Sequence, residues 1–578
     1  MTNAQIAAAF DELADLYELD GAVQYRVLAY RTAARTVREA SVSVAQLVRD
    51  GRVTELPGIG KTLETKLGTL IETGDTTQAQ KLRAQFPSGV IAMMHLPGFG
   101  PKRARRLYDE LGIDSLEALR GAAERQELRG LRGFGAKVEE KLLEQLADGY
   151  DGRPAPRFLL SRALPIAEQI VDALRAAPGA ERVEVAGSLR RSADSVKDLD
   201  IVATTAEPAA LVRTLSELPL VESVRSSGEA GARVLLHSGL TVDLKVVEPD
   251  QFGNVLQHFT GSKNHNVALR EAAVRRGLHV SEYGILDDAD GNTLRCPTEE
   301  EVYAKLDLPW IPPELREGRG ELEAAAAGAL PELVTQADLR GDLHCHTTLS
   351  DGRQDVEAMV AGARARGYEY LAITDHSATH GFGNHVDADA LRAQIERVRA
   401  LNAELEGFDL LIGTETNVLP DGTVDYPDEL LAELDWVVAS VHTSFGMAEA
   451  DMTARMVAAI EHPYVDVIGH PTGRKIETRA PYAIDMERVI EAAARAHTML
   501  EINAAPDRRD LNELHARAAA EAGVLITIDS DAHSVRNLEL MRFGVATARR
   551  AWLTPAQVAN TRPWAELASL RKRSRTAA

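Results

Sequence analysis

Cysteine is scarce in this sequence. Cys296 and Cys345 are the only two among 578 residues, so no disulfide framework is expected and a reducing, cytosolic compartment fits. No apolar run is long enough to span a bilayer. The N-terminus, MTNAQIAAAFDELADLYELD, lacks a basic region followed by an apolar core, so no signal peptide is expected. Basic charge is short as well. The net charge of −22 argues against a simple nucleic-acid binder, because phosphate contacts need Lys and Arg. That deficit is uneven. Residues 1–153 hold 21 Lys/Arg against 22 Asp/Glu, which leaves −21 for the rest. Lys102, Arg103, Arg105 and Arg106 form a local basic spot inside the near-neutral stretch.

What the chain does have is length, and histidine in one place. Its size calls for several domains, and 45% hydrophobic residues suffice for packed cores. Eleven of the 16 histidines lie after residue 340, a change of domain chemistry that suggests metal binding.

Residues 4–19 place Ile6, Phe10, Leu13 and Tyr17 on one helical face, and much of 1–150 follows the same short amphipathic pattern. Three similar segments recur there: LPGIGKTLETKL (56–67), LPGFGPKRARRL (96–107) and LRGFGAKVEEKL (131–142). Glycines at Gly58, Gly60, Gly98, Gly100, Gly133 and Gly135 allow a tight turn close to a ligand. The helix that follows points N–H groups outward, which suits a phosphate oxygen without reading sequence. One copy alone reads as a plain helical hairpin. Three copies, each followed by a lysine (Lys61, Lys102, Lys137), point to DNA-backbone binding. The segments resemble helix-hairpin-helix motifs, the third lacking the proline.

From 155 to 250 the pattern turns mixed, with RVEVAGSL, DLDIVAT, ARVLLHS and TVDLKVVE as strands. Asp198 and Asp200 alternate along one strand and share a face. Asp243 sits on another strand. Three converging carboxylates make an oxygen site suited to Mg²⁺ (or Mn²⁺) and substrate phosphates. Gly187 and Ser188 offer N–H and hydroxyl donors to a triphosphate, and Arg191 supplies positive charge. The bland alternative is a solvated acidic strand end.

The run from Gly187 to Asp200, GSLRRSADSVKDLD, resembles the nucleotidyltransferase motif of family X DNA polymerases, and Asp243 matches their third carboxylate. HFTGSKNHNVALREAA (258–273) resembles the thumb segment of that family. The resemblance implies that Phe259, Thr260 and Gly261 line the nucleotide sugar, that Asn266 faces the base edge and that Arg270 faces the template. His258 and Lys263 depart from the eukaryotic pattern, and Lys263 is in a position to reach the incoming nucleotide. Lys66 falls where the family has a Schiff-base lysine for removing 5′-deoxyribose phosphate, though Thr62 replaces a basic residue of that pocket. Tyr30 and Arg31 are candidates to hold the 5′-phosphate.

After residue 337 seven apolar runs alternate with helices: GDLHCH, YLAITDH, LLIGTET, WVVASVH, VDVIGH, TMLEIN and VLITIDSDAH. Polar residues at successive strand ends predict a (βα) barrel with its site at that face. His344, His346, Asp351, His376, Glu415, His442, His470, Asp531 and His533 gather there, too many for one ion and suited to two or three Zn²⁺ or Mn²⁺. The region resembles the PHP domain of bacterial polymerases and small phosphatases. By that analogy His344, His346, Glu415 and Asp531 hold one ion. Glu415 bridges to a second held by His442 and His470, and Asp351, His376 and His533 form a third site. His380 and His385 are expected to face substrate or solvent.

The chain is thus expected to be multidomain, α and α/β. A helical lyase-like domain (1–80) and a fingers-like helical domain (81–153) precede a mixed-sheet nucleotidyltransferase palm (154–250). A thumb (251–311), a linker (312–336) and a distorted (βα)7 PHP barrel (337–578) follow. The expected function is short gap filling from dNTPs in DNA repair, with the barrel trimming DNA 3′ ends. Gapped or nicked DNA is the expected partner of a monomer in the cytoplasm at the nucleoid. The alternatives are a small-molecule phosphatase and a non-catalytic DNA-end scaffold.

Overall fold

A computed structural model describes every residue except 41, 42, 57, 95, 97, 98, 132, 133, 148–156, 382, 383, 385, 573 and 575–578. Gly98, Gly133 and His385 therefore lie outside the described residues, as does the Lys137 side chain. By its internal contacts the chain divides into two units. One is Met1–Phe158, Pro165–Glu184 and Lys197–Val247; the other is Leu159–Leu164, Val185–Val196 and Glu248–Ala578.

The first unit begins with helices α1 (Asn3–Leu19), α2 (Gln24–Glu39), α3 (Val44–Arg49), α4 (Lys61–Thr73), α5 (Thr77–Arg83), α6 (Ser88–Met94), α7 (Pro101–Leu111), α8 (Leu116–Glu124) and α9 (Ala136–Ala147). Thr2 starts α1 with a capping box, its hydroxyl accepting from the Gln5 N–H at 3.1 Å. The apolar face of α1 is buried, with Ile6, Phe10, Leu13 and Tyr17 in one core. Burying each such side chain stabilises the unit by roughly 2 kcal/mol.

Between 158 and 246 the chain forms β1 (Phe158–Leu159), β2 (Ala180–Val185), β3 (Ser195–Val196), β4 (Asp198–Thr205), β5 (Val221–Gly228), β6 (Gly231–Leu236) and β7 (Thr241–Val246). Five of these make a mixed sheet in the order β2-β4-β7-β6-β5, with β4 and β7 parallel. Leu199 and Ile201 of β4 and Val242 and Leu244 of β7 are buried. Strand alternation therefore turns Asp198, Asp200 and Asp243 to the opposite face.

The second unit holds a small three-stranded antiparallel sheet of β8 (Leu278–Ser281), β9 (Gly284–Asp287) and β10 (Thr293–Leu294). It also holds seven parallel strands in sequential order: β11 (Gly341–Asp342), β12 (Tyr370–Ile373), β13 (Asp409–Asn417), β14 (Trp436–Ser440), β15 (Val467–Ile468), β16 (Met499–Asn503) and β17 (Ile526–Asp529). The ring draws shut through a parallel bridge between Cys345 and Ala532, with the His346 N–H donating to the Ala532 carbonyl at 2.8 Å. These strands are covered on both faces, which is why they read as continuous apolar runs.

Residues 312–336 differ from a free linker. Leu315, Leu322, Ala325 and Leu333 join one core with Leu269, Val280 and Tyr303 of the neighbouring segment, and Arg316 is fully buried. The prolines and alanines masked an apolar face that packs.

Candidate active sites

The barrel mouth is organised around Glu415 on β13. Its Oε2 lies 2.7 Å from His376 Nδ1, 3.4 Å from His344 Nε2 and 3.6 Å from His346 Nε2. Its Oε1 lies 3.0 Å from His470 Nε2 and 3.2 Å from His442 Nε2. Asp531 follows β17 and sits 3.1 Å from His346 Nε2 and 3.7 Å from His344 Nε2. Asp351 lies 3.2 Å from His533 Nε2 and 3.7 Å from His376 Nε2.

Among the described residues, ligand atoms within 4.8 Å of one another form three groups: His346, Asp351, His376 and His533; His344, His346 and Asp531; and His376, Glu415 and His442. His470 joins through Glu415. The residue chemistry fits cations. His344 Nε2 and Glu415 Oε2 lie 3.4 Å apart, and both are buried without a well-formed hydrogen bond. A buried lone pair left so would be costly unless an ion completes it.

The electrostatics divide the imidazoles: burial opposes charge on all of them, but the neighbouring carboxylates raise His344, His376 and His533 above the ordinary histidine range. Burial, with His376 and His533 close by, holds His346 at about 3, so it is neutral. Burial, with Arg508 nearby, holds His470 at about 3 as well. Burial opposes the charged form of Asp351, yet His533 and the adjacent imidazoles hold its carboxyl at about 2.

In the mixed sheet Asp200 on β4 pairs directly with Asp243 on β7, and Asp198 pairs with Thr241. All three carboxylates are partly exposed. Asp243 Oδ2 lies 3.5 Å from Arg233 Nε on β6, so a cation already stands at the trio's edge.

In the second unit Gly187–Arg190 forms one helical turn, with Gly187 at a φ of 64°. Arg191 is committed to its neighbours, donating to the Thr260 carbonyl at 2.6 Å and to Glu317 at 3.0 Å. Arg190 binds Thr260 Oγ1 at 2.7 Å and both oxygens of Glu299. Thr260 and Gly261 end the helix Phe252–Thr260, and Phe259 packs on His258 at 5.2 Å between ring centres. Lys263 opens the helix Lys263–Val274 and is exposed. Asn266 donates to the His258 carbonyl at 2.8 Å, and Arg270 donates to His258 Nδ1 at 3.2 Å. His258 therefore organises the groups expected at the base edge and template.

In the helical hairpins Gly58 and Gly100 adopt φ of 79° and 85°, open to glycine alone without strain. Gly60, Gly100 and Gly135 lead into α4, α7 and α9. Lys61 and Lys102 are exposed, Lys61 pairing with Glu64 at 2.9 Å. Lys66 is half-buried. Its ammonium donates to Tyr30 Oη and lies 5.0 Å from that ring's centre. Arg31 is engaged by Asp15 and by Glu18 at 3.2 Å.

Family models match a helix-hairpin-helix domain at residues 1–76, a SAM-like helix-hairpin-helix tandem at 90–148, a DNA polymerase beta thumb at 255–317 and a PHP domain at 342–505. The DNA polymerase/3′-5′ exonuclease PolX of Bacillus subtilis is 39% identical over 576 residues, 99% of this chain and 100% of that protein. The chain belongs to the PolX family. A shorter part of the chain is also similar to probable phosphatases. That of Caldanaerobacter subterraneus is 33% identical over 33% of this chain and 75% of the phosphatase. That of Shewanella sediminis is 31% identical over 40% and 94%.

Two residues of this PolX chain escaped the sequence reading. Glu501 Oε1 lies 2.6 Å from His344 Nδ1, and its Oε2 accepts the His470 N–H at 2.6 Å, so one carboxylate orients two ligands. Asp375 accepts from Thr347 at 2.7 Å and Ser350 at 2.6 Å, holding the loop before Asp351. The alternating polar residue in TMLEIN and the acid in ITDH were the available signals. His380, expected to face substrate or solvent, is buried and stacks on His376 at 4.7 Å.

Proposed function

We infer that this chain is a DNA-directed DNA polymerase that fills short gaps in DNA repair and carries a PHP-domain 3′-5′ exonuclease. The reading is carried by the end-to-end match to PolX of a chain that holds both an Asp200–Asp243 register and an eight-residue nitrogen and oxygen cluster joined by His470 through Glu415.

In this reading Asp198, Asp200 and Asp243 hold Mg²⁺ or Mn²⁺, and the barrel ligands hold two or three Zn²⁺ or Mn²⁺. Such ions activate the attacking oxygen and neutralise charge on the phosphoryl group. Gly187 and Ser188 donate to the triphosphate. Phe259, Thr260 and Gly261 set the sugar's position, with Lys263, Asn266 and Arg270 at the nucleotide and template. The hairpin glycines with Lys61, Lys102 and Lys137 grip the DNA backbone. Glu501 fixes His344 in one tautomer so that its other nitrogen faces the cluster. Lys66, half-buried beside Tyr30, is the candidate lyase nucleophile. The domain divisions at 80, 153, 250 and 336 follow from the same reading, with residues 312–336 counted with the thumb core they pack into rather than as a linker. So do gapped or nicked DNA as partner, a monomeric state, and a cytoplasmic location at the nucleoid. Among the described residues no helix is long and apolar enough to cross a membrane.

The test compares a one-nucleotide gap, a DNA 3′ end and a free sugar phosphate as substrates. The reading expects nucleotide addition at the gap and hydrolysis at the 3′ end. Hydrolysis of the sugar phosphate alone would favour a small-molecule phosphatase.

A further inference from the structure

Arg509 follows β16 of the barrel, yet none of its guanidinium faces solvent. Both terminal nitrogens donate to the Ser192 carbonyl, at 3.1 and 3.0 Å, and Nη1 lies 3.1 Å from Asp194 Oδ1. Nε donates to Thr547 Oγ1 at 2.8 Å. Arg474, also from the barrel, reaches the other Asp194 oxygen at 3.0 Å. Arg550 donates to the Arg191 carbonyl and to Glu317, each at 2.7 Å, and to Glu513 at 2.9 Å. Three barrel arginines thus converge on four residues, Arg191 to Asp194.

That turn is unusual in itself. Ser192 has a φ of 55°, a left-handed conformation that a serine adopts only when its surroundings impose it. The imposed carbonyl direction is the one Arg509 captures. The turn follows Gly187 and Ser188 directly, and Asp194 precedes the Asp198 of β4 by four positions.

A buried arginine is retained at a cost unless each of its groups is matched. Burial pulls Arg509 down to about 10, so it stays charged at neutral pH. Its neighbours face the second active centre. Arg508 Nε lies 4.0 Å from Asp531 Oδ2, and Asp510 accepts from the backbone and hydroxyl of Thr472, two residues past His470. An ordinary surface linkage between segments would need none of this burial.

We propose that Arg509, with Arg550, is a positioning residue for nucleotide addition: the barrel holds the Arg191–Asp194 turn so that Gly187 and Ser188 meet the incoming triphosphate. The inference rests on the reading of Gly187–Arg191 as the nucleotide-binding turn. Arg509 touches no substrate. It acts through the backbone of Ser192 and the carboxylate of Asp194.

The test is steady-state gap filling by the full chain carrying Arg509→Met, Arg509→Lys, Arg191→Ala, or Arg509→Met with Arg191→Ala. The 3′-5′ exonuclease and the melting temperature of each are measured beside it. Arg509→Met is expected to raise KM for dNTP on the order of tenfold with kcat within about twofold, the signature of lost nucleotide positioning. Arg509→Lys should recover part of that loss. The double variant should show less than the product of the single effects, because both act on one turn. Exonuclease activity should stay within about twofold. If Arg509→Met lowers the melting temperature strongly, Asp194→Asn decides, since it keeps the buried arginine and the side chain's shape and removes only the charge facing Arg509. An unchanged KM in Arg509→Met or Asp194→Asn, with a raised KM in Arg191→Ala, overturns the positioning role and leaves the nucleotide-site reading standing. An unchanged KM in Arg191→Ala overturns that reading and the proposal with it. A parallel fall of kcat, exonuclease and melting temperature in both Arg509→Met and Asp194→Asn reduces Arg509 to a structural tie.

Discussion

Asp200 on β4 and Asp243 on β7 stand opposite each other in parallel register, two carboxylates on one face with Arg233 3.5 Å from the second. Like charges on adjacent strands destabilise a sheet unless a cation sits between them. Asp243→Asn should therefore lower gap filling by about 100-fold or more while the melting temperature stays level or rises. Primer extension and thermal unfolding of the same preparation check it.

Glu501 holds His344 and His470 from behind the cluster. Glu501→Gln should weaken barrel metal affinity by roughly 10- to 100-fold. Metal content by mass spectrometry after dialysis should fall, and exonuclease activity should return with added Mn²⁺.

Glu299 is buried between Arg190 and Arg316. Burial pushes its carboxyl up, but the two guanidinium groups outweigh it and hold it at about 2 against an ordinary 4.5. A depressed carboxyl contributes stability that is complete above its unfolded value and lost as pH falls toward its folded one. Glu299→Gln should cost roughly 3 kcal/mol at neutral pH, since it leaves Arg316 buried and uncompensated. The difference from the parent protein should vanish between about pH 4.5 and about pH 2. Urea unfolding across that range measures it.

Lys61 and Lys102 are exposed beside the hairpin turns. If each neutralises a DNA phosphate, replacing either by Ala should reduce the slope of log affinity against log salt by about 1. Anisotropy titrations on gapped DNA at several salt concentrations provide the check, and an unchanged slope would remove these lysines from the interface.

Much of the fold could be read in the sequence for identifiable reasons. Parallel strands buried on both faces leave apolar runs such as WVVAS, and the chemistry then falls on the second residue past the strand, as with His442 and His470. Strand alternation alone put Asp198 and Asp200 on one face. What stayed hidden depends on partners far away in the chain. Arg509 lies in NAAPDRRDL, which reads as a solvated loop, and only the fold brings Ser192 to it. His380 sits in a polar stretch whose burial comes from stacking on His376. The apolar residues of the 312–336 segment are broken up by Pro, Gly and Glu, but Leu315, Leu322 and Ala325 pack into one core.

In the proposed function two metal centres on one chain serve different reactions on DNA. The most direct measurement places Asp198→Ala and His344→Ala on the same gapped duplex, following nucleotide addition and 3′ shortening in one assay. The account predicts that Asp198→Ala abolishes addition and keeps shortening, and that His344→Ala does the reverse. Addition that persists in Asp198→Ala, or shortening that persists in His344→Ala, would contradict it.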